Sequence, residues 1–204
     1  MKALILVDIQ NDFLPGGALA VPDGDAVIPV VNRLQPMFPL VVATQDWHPA
    51  NHGSFAANHP GKKPFEQIDL NGLPQTLWPV HCVQNTAGAE LAPGLNRERI
   101  SKIFQKGTDP GVDSYSGFFD NGHRRATGMA EWLKGSGVTD VHICGLATDY
   151  CVKFTALDAV KSGFKTHLIE DASRGVNLQP NDVNNAIAEM KKAGVLIETS
   201  AKIL

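Results

Sequence analysis

Hydrophobic positions along the chain fall into two rhythms. Short, largely apolar runs occur at residues 4–7, 40–43, 102–104, 141–144, 166–169 and 195–197. Runs of this length, rich in Val and Ile and lacking alternation, predict strands buried on both faces. Between them the apolar residues recur at helical spacing. Residues 25–38 carry Val27, Val30, Val31, Leu34 and Met37, with Pro29 limiting where the first turn can lie. Residues 124–134 read as a helix closed by Gly135 and Gly137. Residues 149–161 read as another, with apolar residues at 152, 156, 157 and 160 and a stop at Gly163, and residues 181–192 as a last one stopped by Gly194. Strands alternating with helices predict a three-layer α/β/α fold of Rossmann-like type, with a mostly parallel six-stranded sheet and right-handed crossovers.

One stretch breaks both rhythms. Residues 46–100 hold four of the seven histidines and six prolines but little periodicity. A loop this long inside a compact domain is usually functional or disordered, and its Trp, Phe and His content argues against disorder. We therefore expect a single domain over 1–204 with an ordered, site-building insertion at 46–100.

Composition narrows the function classes. Eighteen Lys and Arg against 21 Asp and Glu give a formal net charge of −3, with no block of like charge. Nucleic acid needs a basic footprint that is missing, and an anionic membrane surface is an equally poor partner. The apolar run at the N-terminus is too short for a signal peptide, and no run approaches a membrane span. Three cysteines without close spacing argue against a disulfide framework and suit a reducing, cytoplasmic location. Nucleotide motifs are also missing. Gly135-Ser136-Gly137 begins a GxG but precedes a strand rather than following one.

In an open parallel sheet, ligands bind beyond the carboxyl ends of the strands. Those ends carry Asp8, Asp46, Lys106 and the segment Gly145-Leu146-Ala147-Thr148-Asp149-Tyr150-Cys151. Cys151 falls in the first turn of the helix expected from 149, where the helix dipole and a nearby Lys106 would lower its pKa and Asp8 could take its proton. The amides of the 145–151 turn suit an oxyanion hole. Position alone leaves an inert buried cysteine equally open for Cys151, assigns Cys144 to the core and leaves Cys82 undecided. Asp46-Trp47-His48 is a D-x-H pair; in extended chain these two side chains face the same way and can grip one ion, with His52, His59 or His81 as a third ligand. The spacing by itself is weak evidence. Such a donor set suits zinc, iron or manganese rather than calcium. Phe13, Trp47, Trp78 and Tyr115 are loop aromatics that could line a slot for a flat ring.

Taken together, Asp8-Ile9-Gln10-Asn11-Asp12-Phe13, Asp46-Trp47-His48-Pro49, Trp78-Pro79-Val80-His81-Cys82, Lys106-Gly107 and Gly145-Leu146-Ala147-Thr148-Asp149-Tyr150-Cys151-Val152 resemble the nicotinamidase/pyrazinamidase group of the isochorismatase-like cysteine hydrolases. The resemblance runs in order through nearly the whole chain. It implies a catalytic triad of Asp8, Lys106 and Cys151, and an oxyanion hole at the amides of Ala147 and Cys151 beside a cis Leu146–Ala147 bond. It implies metal ligands Asp46, His48 and His81, with zinc the first expectation and Fe2+ or Mn2+ the alternatives. Phe13 and Trp78 match ring-packing positions, and Tyr115 and Tyr150 match neighbours of the pocket. His52 matches a position that ligates metal in only some members, and we leave it outside the set. The implied reaction is hydrolysis of nicotinamide, and of pyrazinamide, to the acid and ammonia through a thioester, as in NAD salvage. A carbamoyl-amide hydrolase of the same family is the rival reading, although such enzymes usually lack the D-x-H and WPxHC pair. Nothing in the sequence sets the oligomeric state.

Overall fold

A computed structural model describes all of residues 1–204. In chain order the main elements are β1 (Lys2–Val7), α1 (Val27–Leu34), β2 (Leu40–Asp46), β3 (Gln67–Leu70), β4 (Leu73–Thr76), β5 (Ile100–Lys106), α2 (Met129–Gly135), β6 (Asp140–Leu146), α3 (Lys153–Lys161), β7 (Lys165–Arg174), α4 (Asp182–Lys192) and β8 (Leu196–Glu198). Six strands form one sheet in the order β5-β2-β1-β6-β7-β8. Every pairing within it is parallel. The all-apolar strands follow from this: β1 and β6 are covered on both faces. Ala3, Ile5 and Val7 pack with α2, α3 and α4 on one side. Leu4 and Leu6 pack with α1 and the segment around Ala89–Leu95 on the other.

The chain runs outward from β1 through β2 to β5, then returns to β6 on the opposite side of β1 and runs outward through β7 to β8. The strand order thus reverses between β1 and β6. A crevice opens at the carboxyl ends of strands at such a reversal, and ligands bind there.

The elements differ from the sequence pattern in places, each for a local reason. The expected helix over 124–134 begins only at Met129. Asp120 accepts hydrogen bonds from the amides of Arg124 and Arg125, at 2.8 and 2.9 Å. Gly128, at φ +84°, adopts a left-handed conformation just before the helix. The pattern over 25–38 becomes α1 flanked by 3-10 turns at Gly24–Ala26 and Gln35–Met37. Pro36, lacking an amide hydrogen, cannot continue an α-helical ladder. The helix expected over 149–161 splits into a π-helical turn, Thr148–Val152, followed by α3. Residues 46–100 are ordered and contain an antiparallel hairpin, β3 with β4, together with 3-10 turns.

Candidate active site

Four strand ends deliver the site. Asp46 and Lys106 are the last residues of β2 and β5, and face each other in register. Asp8 follows β1 directly, and Cys151 sits in the π-turn that follows β6. Asp8 has a φ of +46°, an uncommon conformation for a residue with a side chain. Thr44 holds it there: the Asp8 amide donates to Thr44 Oγ1 at 3.2 Å, and that hydroxyl donates to Asp8 Oδ1 at 2.6 Å.

Lys106 is the hub of the cluster. The residue is 2 % exposed, and its ammonium donates to Asp46 Oδ1 at 2.5 Å and to the Ser114 carbonyl at 2.8 Å. It lies 2.9 Å from Asp8 Oδ2 and 3.4 Å from Cys151 Sγ. An ammonium has three hydrogens to give, and two carboxylates and a carbonyl surround it closely. A buried cation between two acids is held charged: burial works against the charge, but Asp46 and Asp8 outweigh it and push the Lys106 pKa well up.

The two acids then diverge. Burial pushes both up, but for Asp46 the attraction of Lys106 and His48 wins and the carboxyl stays well below its usual range. For Asp8, burial wins over Lys106, with Asp46 adding to it, and the pKa is raised. Two titratable groups pushed apart in this way are the signature of separate roles. The thiol departs from the sequence expectation of a lowered pKa. Burial pushes Cys151 well up, Lys106 pulls against that, and the nearby carboxylates push it further. Its proton therefore stays on sulfur until a base beside it accepts the proton.

Asp46, His48 and His81 bring one donor atom each within 4.8 Å of one another, all three residues buried. The His48 Nδ1 contacts the Gly107 carbonyl at 2.9 Å, and the His81 Nδ1 contacts the Pro79 carbonyl at 2.8 Å. A carbonyl can only accept, so each Nδ1 carries the hydrogen and each Nε2 offers its lone pair. Those Nε2 atoms stand 3.7 and 4.0 Å from Asp46 Oδ2. Such gaps are too long for hydrogen bonds and fit three ligands around a shared cation. Backbone-held imidazoles are the usual support of a metal site. Burial is outweighed by Asp46, which raises the pKa of His48, while burial and the neighbouring His48 push His81 down to about 4; a bound cation would take the place of the proton on His48. The residues fit a divalent ion. His52 lies against His48 with the rings tilted 45° and their centroids 4.3 Å apart, and its Nδ1 meets Ser54 Oγ at 2.7 Å. It also approaches Asp113 and His48 in a second possible donor group.

Beside this cluster lies a cavity lined by Phe13, Trp78, Tyr115, Tyr150, Ala147 and Cys151 among others. Of the five aromatic residues singled out from the sequence, Phe13, Trp78, Tyr115 and Tyr150 reach it and Trp47 does not. Trp78 and Tyr150 meet edge to face at 4.9 Å, and the Trp78 Nε1 donates to the Tyr115 hydroxyl at 3.1 Å. Trp47, the fifth loop aromatic, packs against the core instead. Cys82 and Cys144 are fully buried in that same apolar cluster, and the Leu146–Ala147 peptide is cis.

Several site residues carried no expectation. Asp113 lines the cavity, in a segment without periodicity. Gln10 donates to the carbonyls of Asp46 and Ala89 and accepts from the Asp46 amide, each at 2.8 Å. Asp149 accepts from the amides of Val176 and Asn177 at 2.9 and 2.8 Å, fixing Val176 in the cavity wall. Gln10 and Asp149 belong to the motifs above, but their work is done by contacts between distant segments that spacing does not reveal.

Comparison with known proteins matches residues 2–202 to the isochorismatase domain. The chain is 53 % identical over 204 residues to a nicotinamidase of Escherichia coli, covering 98 % of this chain and 95 % of that one. A solved structure described as an Acinetobacter nicotinamidase and pyrazinamidase superposes with a TM-score of 0.97 at 50 % identity, covering 100 % of this chain and 98 % of that one. A pyrazinamidase of Pyrococcus horikoshii, solved in complex with zinc, superposes with a TM-score of 0.80 at 44 % identity, covering 97 % of this chain and 98 % of that one.

Proposed function

Because the chain belongs to the isochorismatase-domain family, we infer that its pocket hydrolyses nicotinamide to nicotinate and ammonia, and accepts pyrazinamide as well, with Cys151 as the nucleophile. The observation that carries this reading is the chain of contacts from Cys151 Sγ to Lys106 Nζ at 3.4 Å and on to Asp8 Oδ2 at 2.9 Å. It lies at the wall of an aromatic-lined cavity that also meets Asp46, His48 and His81.

In this mechanism Asp8, its pKa raised by burial, accepts the thiol proton, and the sulfur forms a bond to the carboxamide carbon. Lys106 stays protonated and offsets the negative charge that appears on sulfur. The carbonyl oxygen takes up charge against the amides of Ala147 and Cys151, an oxyanion hole of backbone donors. Asp8 returns the proton to the amide nitrogen, the carbon–nitrogen bond breaks and ammonia leaves. Asp8 then takes a proton from water, whose oxygen attacks the thioester carbon; the carbon–sulfur bond breaks and the thiol is restored. Asp46, His48 and His81 would hold a divalent ion, zinc by our reading, which would supply a Lewis acid for the ring nitrogen. Phe13, Trp78, Tyr115 and Tyr150 hold the ring flat with its carboxamide toward Cys151.

Ammonia release from nicotinamide by the purified protein, with the metal content measured, tests this reading. Rapid release supports it. No release from a metal-filled protein overturns it, and a carbamoyl amide would then be tried as substrate.

A further inference from the structure

Three ionisable side chains converge far from the strand ends that build the pocket. His142 and His167 are the third residues of β6 and β7 and lie directly opposite each other in register. Glu198 ends β8, opposite Ile169. His142 is 3 % exposed and His167 8 %. The Glu198 Oε1 lies 2.8 Å from the Nδ1 of His142 and 3.2 Å from the Nδ1 of His167. The two imidazoles stack at 4.2 Å with 14° between their planes.

The distances suit hydrogen bonds, but the alignments do not. All four imidazole nitrogens and the Glu198 Oε1 are buried without a hydrogen-bond partner. Buried polar atoms are nearly always satisfied, and one left alone costs roughly 1–3 kcal/mol. Five in one cluster need a shared partner. We propose that His142, His167 and Glu198 form a second divalent-metal site, separate from the pocket and specific for a zinc-class ion.

Two imidazoles and one carboxylate are a donor set that zinc, cobalt and related ions accept. The three candidate ligand atoms lie within 4.8 Å of one another. Bringing both nitrogen lone pairs onto one ion requires each ring to turn about χ2, a torsion whose energy profile is broad for imidazole. Adjacent strands fix the two backbones, so only the rings move. Hydrogen bonds to Glu198 alone would leave both Nε2 atoms without a partner, since the two Nδ1 atoms share the one oxygen Oε1. The cluster borders the β8 edge of the sheet, where the Glu198 side chain keeps 15 % of its exposure.

The test counts ions in purified protein titrated with Co2+, whose visible spectrum reports coordination. Wild type is expected to bind two ions per chain. His167→Gln and Glu198→Gln, two variants that keep side-chain volume, should each lose one ion or weaken it by at least about tenfold, with ammonia release unchanged. Asp46→Ala removes the ion of the pocket. In that background one ion should remain and should disappear when His167→Gln is added. The inference is overturned if Asp46→Ala binds no ion, or if its residual ion survives both His167→Gln and Glu198→Gln. The Asp46→Ala background keeps this result separate from any failure of the pocket to take metal.

Discussion

A single ammonium organises the residue-scale chemistry. Lys106 is enclosed by Asp8, Asp46, the Ser114 carbonyl and Cys151. Removing one member of a buried charge cluster leaves the others uncompensated. Lys106→Met should therefore lower stability by about 3–5 kcal/mol, read from urea unfolding, as well as stopping turnover. Cys151→Ala should leave unfolding near wild type and reduce kcat by at least about a thousandfold; a variant with wild-type kcat would remove the thioester route. The raised pKa of Asp8 sets the pH dependence. Asp8 must be ionised to accept the thiol proton, so kcat/KM falls as pH drops through its pKa. Burial places that acid limb above the ordinary carboxylate value of 3.8. A profile that stays flat down to pH ~4 would show that Asp8 is not the base. Asp8, Asp46 and Lys106 were legible in the sequence because each follows a strand-like run, whereas Cys151 was singled out by the resemblance of its motif and not by position alone. The sign of the Cys151 shift was not legible, because it depends on how deeply the thiol is buried against its neighbours, and spacing does not carry burial.

Short backbone devices position these groups. Gly107 has a φ of +64°, and a β-carbon there would collide with the His48 ring. Gly107→Ala is expected to push His48 from its place and lower the metal content of the purified protein, measured by elemental analysis, while Gly94→Ala, whose β-carbon meets only Ile28 at 3.6 Å, serves as the control. Asp149 joins the π-turn of Cys151 to the segment carrying Val176. Asp149→Ala strands two amides and should cost about 1–3 kcal/mol; with the cavity wall loosened, KM for nicotinamide should rise more than kcat falls. At this scale the sequence pattern succeeds for strands and falters at junctions. Residues 141–144 read as a strand because apolar runs survive burial on both faces. The hairpin Gln67–Thr76 escaped notice because its strands are short, half-exposed and interrupted by Pro74. Residues 124–127 carry a helix-like composition, but Asp120 draws their amides away.

The whole molecule is a sheet whose order reverses at β1 and β6, with all the reactive groups gathered at one end. Metal bound only by the folded chain stabilises it in proportion to free ion. Holding Zn2+ at about one hundred times its Kd should add about 2.7 kcal/mol, and chelation should reverse the gain, measured as a shift in Tm. No helix is long and apolar enough to cross a membrane.

The donor cluster beside the cavity has one more consequence. With a divalent ion held by Asp46, His48 and His81, a ring nitrogen facing that ion would have to offer its lone pair. In a pyridine ring already joined to a sugar through nitrogen, that pair is committed to a covalent bond and the ring is positively charged. An ion so placed would seat the free base and would reject the ring once it is built into a nucleotide, so that the assembled coenzyme would be spared by valence.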